Sequence, residues 1–264
     1  MPNPPPSLKQ AFPFRLGTSS YILPADLVPN VEYLAPLVED VELVLFESDE
    51  ISNLPDAAAV ARLAALAAEH GLTYTVHFPL DIDLASPDPG TRERSVGKCL
   101  RIVAALGSLL PFAYLLHLPT PPDGSERDRR PWQTRLEESL EALLAGGAAP
   151  RDLCAETLGY PFAHAAPLVE AYGLSVCLDI GHLLLAGYSL PDHLDAYLAR
   201  TRVIHLHGIL AGSDHQDLTG LDPADLEAIL RAASTSTPED RVVTLEVFSQ
   251  ADFEKSLEVL RGYA

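Results

Sequence analysis

Asp179 and His182 follow the apolar stretch Leu174–Leu178 and are a pair of side chains that could bind a metal ion. The unbroken apolar run is typical of a strand buried on both faces of a parallel sheet. Ligands bind at the carboxyl edge of such sheets and barrels, and carboxylates and imidazoles both coordinate divalent metals. The pair alone is ambiguous, because an aspartate in front of a helix is also a common N-cap.

Similar residues end six consecutive predicted strands, the third to the eighth. They are His77, His117, Glu156, Asp179 with His182, His207 and Glu246, and the loop after the seventh strand adds Asp214 and His215. Each alone has another explanation, since a histidine can be a core residue and a carboxylate can pair with a base. Their recurrence at one edge predicts a metal site, and these residue types suit Zn, Mn or Fe.

The size of this set indicates more than one ion. A single ion cannot use all these side chains and still bind water, whereas two or three ions that share a bridging carboxylate can. Such clusters suit phosphoester hydrolysis, because they activate water and neutralise charge on the attacking and leaving oxygens. We expect Glu156 and Glu246 to be the catalytic carboxylates.

Short apolar strands alternate with helical patterns along the chain, which indicates βαβ units. The predicted strands are 15–20, 41–46, 73–76, 112–116, 152–155, 174–178, 202–206 and 241–245. Eight strands, each followed by a helix, predict an α/β fold with a single (β/α)8 barrel over residues 15–264, and the chain length of 264 residues suits one. Residues 1–14 read as a proline-rich N-terminal extension.

Three further residues are placed by the predicted strands. Tyr21 follows the first strand and Glu47 follows the second, so both lie at the edge where they could contact a substrate. His205 lies two residues before His207 and therefore on the same face, one layer deeper. We interpret His205 as a core or supporting residue and not as a ligand.

Composition limits the class of partner. The formal net charge of −19 disfavours nucleic acid, whose binding proteins usually present a basic face. Basic residues gather after the third and fourth strands, where we interpret them mainly as solvated helix faces: Arg92, Arg94, Lys98, Arg101, Arg127, Arg129, Arg130 and Arg135.

Cys99, Cys154 and Cys177 lie in apolar segments, as core thiols of a reducing compartment would. With no signal peptide or membrane span evident, we expect a cytoplasmic protein.

The set of strand-end residues resembles the xylose isomerase-like barrel superfamily, and within it the endonuclease IV branch, which uses a three-metal cluster. The resemblance implies that His77, His117 and Glu156 hold one ion and that Glu156 bridges to a second. Asp179, His207 and Glu246 would complete the second site, and His182, His215 and Asp214 would hold the third ion. The chain departs from the family where Asp214 and His215 are adjacent, because the family has one residue between these ligands.

Within this superfamily the chain looks most like the cobamide-remodelling phosphodiesterases. The resemblance rests on FRLGTSSYILPADLVPNVEYLAPLVEDVELVLFES near the start and on the strand-end ligands. It implies hydrolysis of the nucleotide-loop phosphodiester of a cobamide, which gives cobinamide phosphate and an α-riboside. The expected partner is therefore a small-molecule phosphodiester, with neither nucleic acid nor a membrane involved.

Three rival functions stay open. A sugar isomerase or epimerase would need one divalent metal held by Glu156, Asp179, His207 and Glu246, which leaves the remaining histidines unexplained. The second rival is a non-catalytic binder of a metal or a corrinoid, and the third is an abasic-site nuclease like endonuclease IV. Metal stoichiometry and cobamide turnover distinguish among them.

Overall fold

The computed structural model describes residues 7–48, 51–235 and 240–264. Its strands, in chain order, are β1 (Arg15–Ser19), β2 (Asp40–Val44), β3 (Thr73–His77), β4 (Ala113–Leu116), β5 (Leu153–Glu156), β6 (Ser175–Asp179), β7 (Thr201–Leu206), β8 (Gly208–Leu210), β9 (Ser213–Gln216) and β10 (Val242–Leu245). Eight of them are parallel and close into a barrel in the order β1-β10-β7-β6-β5-β4-β3-β2. The predicted (β/α)8 barrel is confirmed.

Helices connect the barrel strands and cover the outside of the barrel. They are α1 (Leu27–Leu34), α2 (Ala57–His70), α3 (Pro89–Leu106), α4 (Glu126–Ala145), α5 (Ala166–Ala171), α6 (Ile180–Leu185), α7 (Leu190–Tyr197), α8 (Pro223–Ala233) and α9 (Gln250–Leu260). Ser125 and Asp128 form a capping box that starts helix α4 at Glu126.

Strands β8 and β9 form a hairpin that follows β7 directly, where the sequence indicated only a polar loop. Its two-residue turn, Ala211 and Gly212, has positive φ at both positions, 51° and 81°. This is the backbone that hairpins of right-handed twist require, although alanine rarely occupies it. The hairpin is the element that carries Asp214 and His215.

The apolar core lies between the strands and the surrounding helices, and a smaller cluster fills the inside of the barrel. The smaller cluster comprises Ala113, Leu115, Cys154, Cys177 and Val203, all fully buried. The three cysteines are buried and unpaired, as predicted for core thiols. Among the described residues no helix is both long and apolar enough to cross a membrane.

Arg241 stabilises the amino-terminal end of the barrel, opposite the metal-ligand candidates. Its guanidinium is 5% exposed and donates to the carbonyls of Thr201, Leu198 and Ala232 at 3.2, 2.9 and 3.2 Å. Leu198 is the C-cap of α7, and Ala232 lies in the last turn of α8. The hydrogen bonds of this one side chain therefore link the ends of two helices to strand β7 of the barrel.

Part of the predicted N-terminal extension also packs against this end. Leu8 and Phe14 are buried, and Lys9 Nζ donates to Ala35 O at 2.8 Å and to His70 O at 2.7 Å. Residues 1–6 of the extension lie outside the described residues, so the proposed boundary at residue 14 stays a prediction.

Asp40 is a carboxyl group fully buried inside the barrel on β2. It accepts hydrogen bonds from Thr73 Oγ1 at 2.6 Å and Thr75 Oγ1 at 2.8 Å, and Gly17 on β1 leaves room for it. Burial raises the pKa of Asp40 from 3.8 to about 6, although the two hydroxyls favour the charged form. The folded state therefore loses stability as the pH rises from 3.8 to 6.

We expect Asp40→Asn to increase the free energy of unfolding at pH 7.5, by on the order of 3 kcal/mol at most, because it removes the buried charge. An asparagine amide can keep both threonine contacts. The gain should shrink as the pH falls from 6 towards 4. Urea unfolding over this pH range in a chelator measures it, with the exposed Asp123→Asn as the control. Equal stability of wild type and Asp40→Asn at every pH would contradict the assignment.

Candidate metal centre

Glu156, the last residue of β5, lies at the centre of the imidazole cluster at the carboxyl end of the barrel. Its Oε2 is 3.4 Å from His77 Nε2 and 3.1 Å from His117 Nε2. Its Oε1 is 3.4 Å from His182 Nδ1. The carboxylate is 1% exposed, so both of its oxygens are turned into the protein and towards different imidazoles. Each of its two oxygens is therefore close to a different set of imidazoles.

Asp179 is both a helix cap and a member of this cluster. Its Oδ1 accepts the backbone N–H of His182 at 2.6 Å, as an N-cap of α6 does. Its Oδ2 lies 3.4 Å from His182 Nδ1 and 3.5 Å from His205 Nδ1. The N-cap interpretation is confirmed, and the cap fixes the carboxylate that faces the imidazoles. The interpretation of Asp179 as a metal ligand stays a prediction.

His205, which we interpret from the sequence as a core or supporting residue, lies among the carboxylates of the centre. It is fully buried, and its Nδ1 faces three carboxylates: Glu246 Oε2 at 3.1 Å, Asp179 Oδ2 at 3.5 Å and Glu156 Oε2 at 3.8 Å. Its Nε2 lies 2.9 Å from Glu42 Oε2. The available signal was Glu42 itself, since an acidic residue inside the apolar strand VELVLF needs a buried partner.

His207 has both ring nitrogens engaged by the protein. Its Nδ1 accepts the backbone N–H of His215 at 2.9 Å, so its Nε2 carries the proton and donates to Asp179 Oδ1 at 3.2 Å. These contacts orient Asp179 and the hairpin, and His207 also lies with His182 and His215 in a group that could hold a metal ion. Gly181 permits this arrangement, because a Cβ there would lie 1.9 Å from His207 Cε1.

The hairpin brings Asp214 and His215 to the same centre, although they are adjacent in sequence. Asp214 Oδ2 is 3.6 Å from His182 Nε2 and 3.9 Å from His215 Nε2. His215 Nδ1 is 3.5 Å from Glu246 Oε2. His215 has a φ of 52°, in the left-handed region, which breaks the usual alternation of side chains along a strand. The departure from the family spacing therefore does not separate the two side chains.

The two predicted substrate contacts lie beside the centre and do not line its cavity. Tyr21 is 45% exposed and packs edge-on against Phe46, with ring centroids 5.7 Å apart. Glu47 is held by Arg101 Nε at 3.2 Å and by Ser52 Oγ at 2.6 Å. Tyr21 lines a neighbouring cavity that shares Phe46 with the cavity at the centre.

The cavity at the centre has a volume of about 360 Å³ and two kinds of wall. Candidate ligands form one wall, and the apolar residues Val44, Leu45, Phe46, Phe78, Leu80 and Phe248 form the other. Leu80 and Phe248 are 66% and 41% exposed at its mouth. Neither lysine nor arginine is among its lining residues.

Most basic residues after β3 and β4 are paired elsewhere. Lys98 Nζ lies 2.6 Å from Asp81 Oδ2, Arg92 Nη2 lies 2.7 Å from Glu138 Oε2, and Arg135 donates to Ala85 O at 2.6 Å. These contacts agree with their interpretation as parts of helix surfaces.

The sequence of residues 38–263 matches the family model described as the xylose isomerase-like TIM barrel. The chain belongs to this family. One solved structure with this fold is a D-tagatose 3-epimerase-like protein (17% identity, TM-score 0.75, covering 95% of this chain and 97% of that one). Another is endonuclease IV from Thermus thermophilus (24% identity, TM-score 0.70, covering 94% of this chain and 98% of that one). A D-psicose 3-epimerase is similar as well (18% identity, TM-score 0.70, covering 94% of this chain and 98% of that one). A search of curated proteins gives no match.

Members of this family typically bind divalent metals, and the donor set here fits such ions. Four polar atoms of the centre are buried and lack a hydrogen-bond partner among the described residues: Glu156 Oε1, His182 Nδ1, His205 Nδ1 and Glu246 Oε2. Buried polar atoms normally have partners, and these four are all metal-ligand types aimed at one another. A set of cations would satisfy them together.

Without a cation, protons on the imidazoles balance the carboxylates. Burial opposes the charged form of His77 and His182, but the nearby carboxylates, chiefly Glu156, outweigh it and raise both pKa values to about 9. Burial also opposes ionisation of Glu156, yet the imidazoles hold its pKa well below the usual range. Protons therefore occupy the positions at which metal ions would bind.

We expect metal binding to the stripped protein at pH 7.5 to release protons, because His77 and His182 must become neutral to coordinate an ion. The apparent affinity should increase with pH up to about 9. Calorimetry with Zn²⁺ or Mn²⁺ in two buffers of different ionisation enthalpy counts the released protons. His70→Gln, at an exposed helix end, is the control and should leave the count unchanged. Binding with no net proton release would contradict the prediction.

Proposed function

We propose that this protein is a metal-dependent phosphodiesterase that hydrolyses a small-molecule phosphodiester. The observation that carries the proposal is the number of imidazoles that face the carboxylates of one centre: His77, His117, His182, His205 and His215. A sugar isomerase with one metal would use a single histidine and leave the others without a role. Clusters of two or three divalent ions suit hydrolysis of phosphoesters.

The geometry supports three groups of ligands for Zn, Mn or Fe ions. His77, His117 and Glu156 form the first group. We place Glu156 with Asp179, His205 and Glu246 in the second and His182, His215 and Asp214 in the third. In the second group we place His205 where we had expected His207, because Nδ1 of His205 is unpartnered whereas both nitrogens of His207 are engaged.

Bound ions would polarise water and neutralise charge on the phosphoryl oxygens. The chain itself contributes orientation: backbone carbonyl Phe78 O, 2.7 Å from His77 Nδ1, turns Nε2 of that ring towards Glu156. Glu156 holds the first two ligand groups together. Glu246 lines the cavity, and we propose that it accepts the proton of the attacking water.

The walls of the cavity support a substrate with an apolar part next to its phosphodiester. An apolar surface of Phe46, Leu80 and Phe248 faces the ligands across the cavity, and such surfaces favour flat or aliphatic groups over sugar hydroxyls. Together with the resemblance of the sequence, this favours a cobamide, hydrolysed at its nucleotide-loop phosphodiester to cobinamide phosphate and an α-riboside. The net charge of −19 and the paired basic residues disfavour nucleic acid.

A sugar isomerase or epimerase is the second candidate. Its support is that Glu156, Asp179 and Glu246 converge on Nδ1 of His205, which would suffice for one divalent ion. Two of the similar structures are epimerases or epimerase-like proteins.

Metal loading and turnover separate the two functions. We expect protein loaded with Zn²⁺, Mn²⁺ or Fe²⁺ to hold two or three ions and to release an α-riboside from a cobamide, detected by mass spectrometry. Glu156→Gln should lower kcat/KM by about 100-fold or more, because a bridging carboxylate is lost. Glu258→Gln, exposed on α9, is the matched control.

One ion per chain together with epimerisation of a ketohexose would support the second candidate. An intact cobamide retained by the loaded protein would indicate a binder, and cleavage of an abasic oligonucleotide would indicate a nuclease. Each of these results would overturn the phosphodiesterase proposal.

A further inference from the structure

Glu42 is a buried carboxylate in the middle of β2 that belongs to none of the three ligand groups. It is 0% exposed, and its Oε2 lies 2.9 Å from Nε2 of His205 across the inside of the barrel. Its other oxygen, Oε1, has no hydrogen-bond partner among the described residues. An isolated buried carboxylate strongly disfavours folding unless it serves a partner, and its partner here is the imidazole of His205.

The contact with Glu42 determines which nitrogen of His205 carries a proton. A carboxylate oxygen at 2.9 Å accepts a hydrogen bond, so Nε2 must be the donor. A neutral ring protonated at Nε2 has its lone pair at Nδ1, and Nδ1 faces Glu246, Asp179 and Glu156 at 3.1, 3.5 and 3.8 Å. The ring is thus held with its coordinating atom towards the three carboxylates of the second ligand group.

Charge supports the same arrangement. Four carboxylates, those of Glu42, Glu156, Asp179 and Glu246, surround one imidazole, and all are at most 5% exposed. Carboxylate–histidine pairs of this kind fix the tautomer of metal-binding imidazoles and increase their basicity. Glu42 reaches the ring from the side opposite the cavity, where it can act on His205 without contacting a substrate.

We propose that Glu42 is a positioning residue, which holds His205 with Nε2 protonated and Nδ1 free to bind a divalent cation together with Glu156, Asp179 and Glu246. This inference rests on the metal centre of the proposed function but not on the reaction or its substrate.

Two variants separate the hydrogen bond from the charge of Glu42. In Glu42→Gln the amide oxygen can still accept from Nε2, whereas Glu42→Leu leaves this donor without an acceptor. Asp40→Asn is the matched control, because Asp40 is an equally buried carboxyl two residues earlier on β2 whose oxygens contact Thr73 and Thr75 instead of His205.

The measurements are the Zn²⁺ affinity of the stripped proteins, by competition with a chelator, and the increase in Tm on addition of Zn²⁺. We expect the affinity for the ion of the second ligand group to fall about tenfold in Glu42→Gln and up to about 100-fold in Glu42→Leu. Asp40→Asn should bind as the wild type does. Stripped Glu42→Gln should melt no lower than the wild type, while its gain in Tm with Zn²⁺ should be smaller.

Several results would overturn the inference. Both Glu42 variants could bind Zn²⁺ with wild-type affinity, or Asp40→Asn could lose as much Zn²⁺ affinity as they do. Stripped Glu42→Gln could have a lower Tm than the wild type yet bind Zn²⁺ normally, or the wild type could bind no divalent ion. If Glu42→Leu does not fold, the comparison of Glu42→Gln with Asp40→Asn decides. A wild type that binds ions but hydrolyses no phosphodiester would refute the proposed function and leave this inference intact.

Discussion

The structure depends on a concentration of negative charge held out of water at one end of the barrel. Glu156, Asp179 and Glu246 lie within 4 Å of shared imidazoles, and each is at most 5% exposed. Removing carboxylates from water costs several kcal/mol apiece unless positive charge accompanies them. Imidazoles supply that charge by binding protons, and a bound cation can displace these protons and supply the positive charge in their place. The same side chains thereby keep the stripped barrel folded and prepare it for metal.

Closure of the parallel barrel makes this concentration possible. Each strand from β3 to β7, together with β10, delivers a polar side chain at or just after its last residue, and the closed order of strands brings these ends into one ring. The apolar runs that precede them are buried on both sides, so the strands cannot shift by one residue without burying a charge among helices. The register of the barrel strands therefore also determines which side chains meet at the centre.

Recurrence along the chain made most of the fold predictable, and it predicted that the candidate ligands lie together at one end of the barrel. Apolar runs that end in histidine or carboxylate residues repeat at the βα spacing, and the barrel order follows from that alternation. The contact of Glu42 with His205 could not be predicted in this way, because it joins residues 163 positions apart on strands that are not neighbours. The hairpin escaped prediction because its turn uses Ala211 where asparagine or glycine is the usual signal. Glu47 lies at the predicted edge, but its pairing with Arg101 depends on a helix packing that no local pattern reveals.

The contact between Gly181 and His207 has a mechanical consequence. The imidazole fills the volume that any larger residue at position 181 would need for its first side-chain atom. The turn that starts α6 and the hairpin after β7 are consequently interlocked, since the same ring contacts Gly181, accepts from His215 and donates to Asp179. A movement of the hairpin at the mouth cannot leave the base of the pocket undisturbed. The hairpin and the start of α6 are therefore coupled through His207, and this packing is possible because Gly181 has no Cβ.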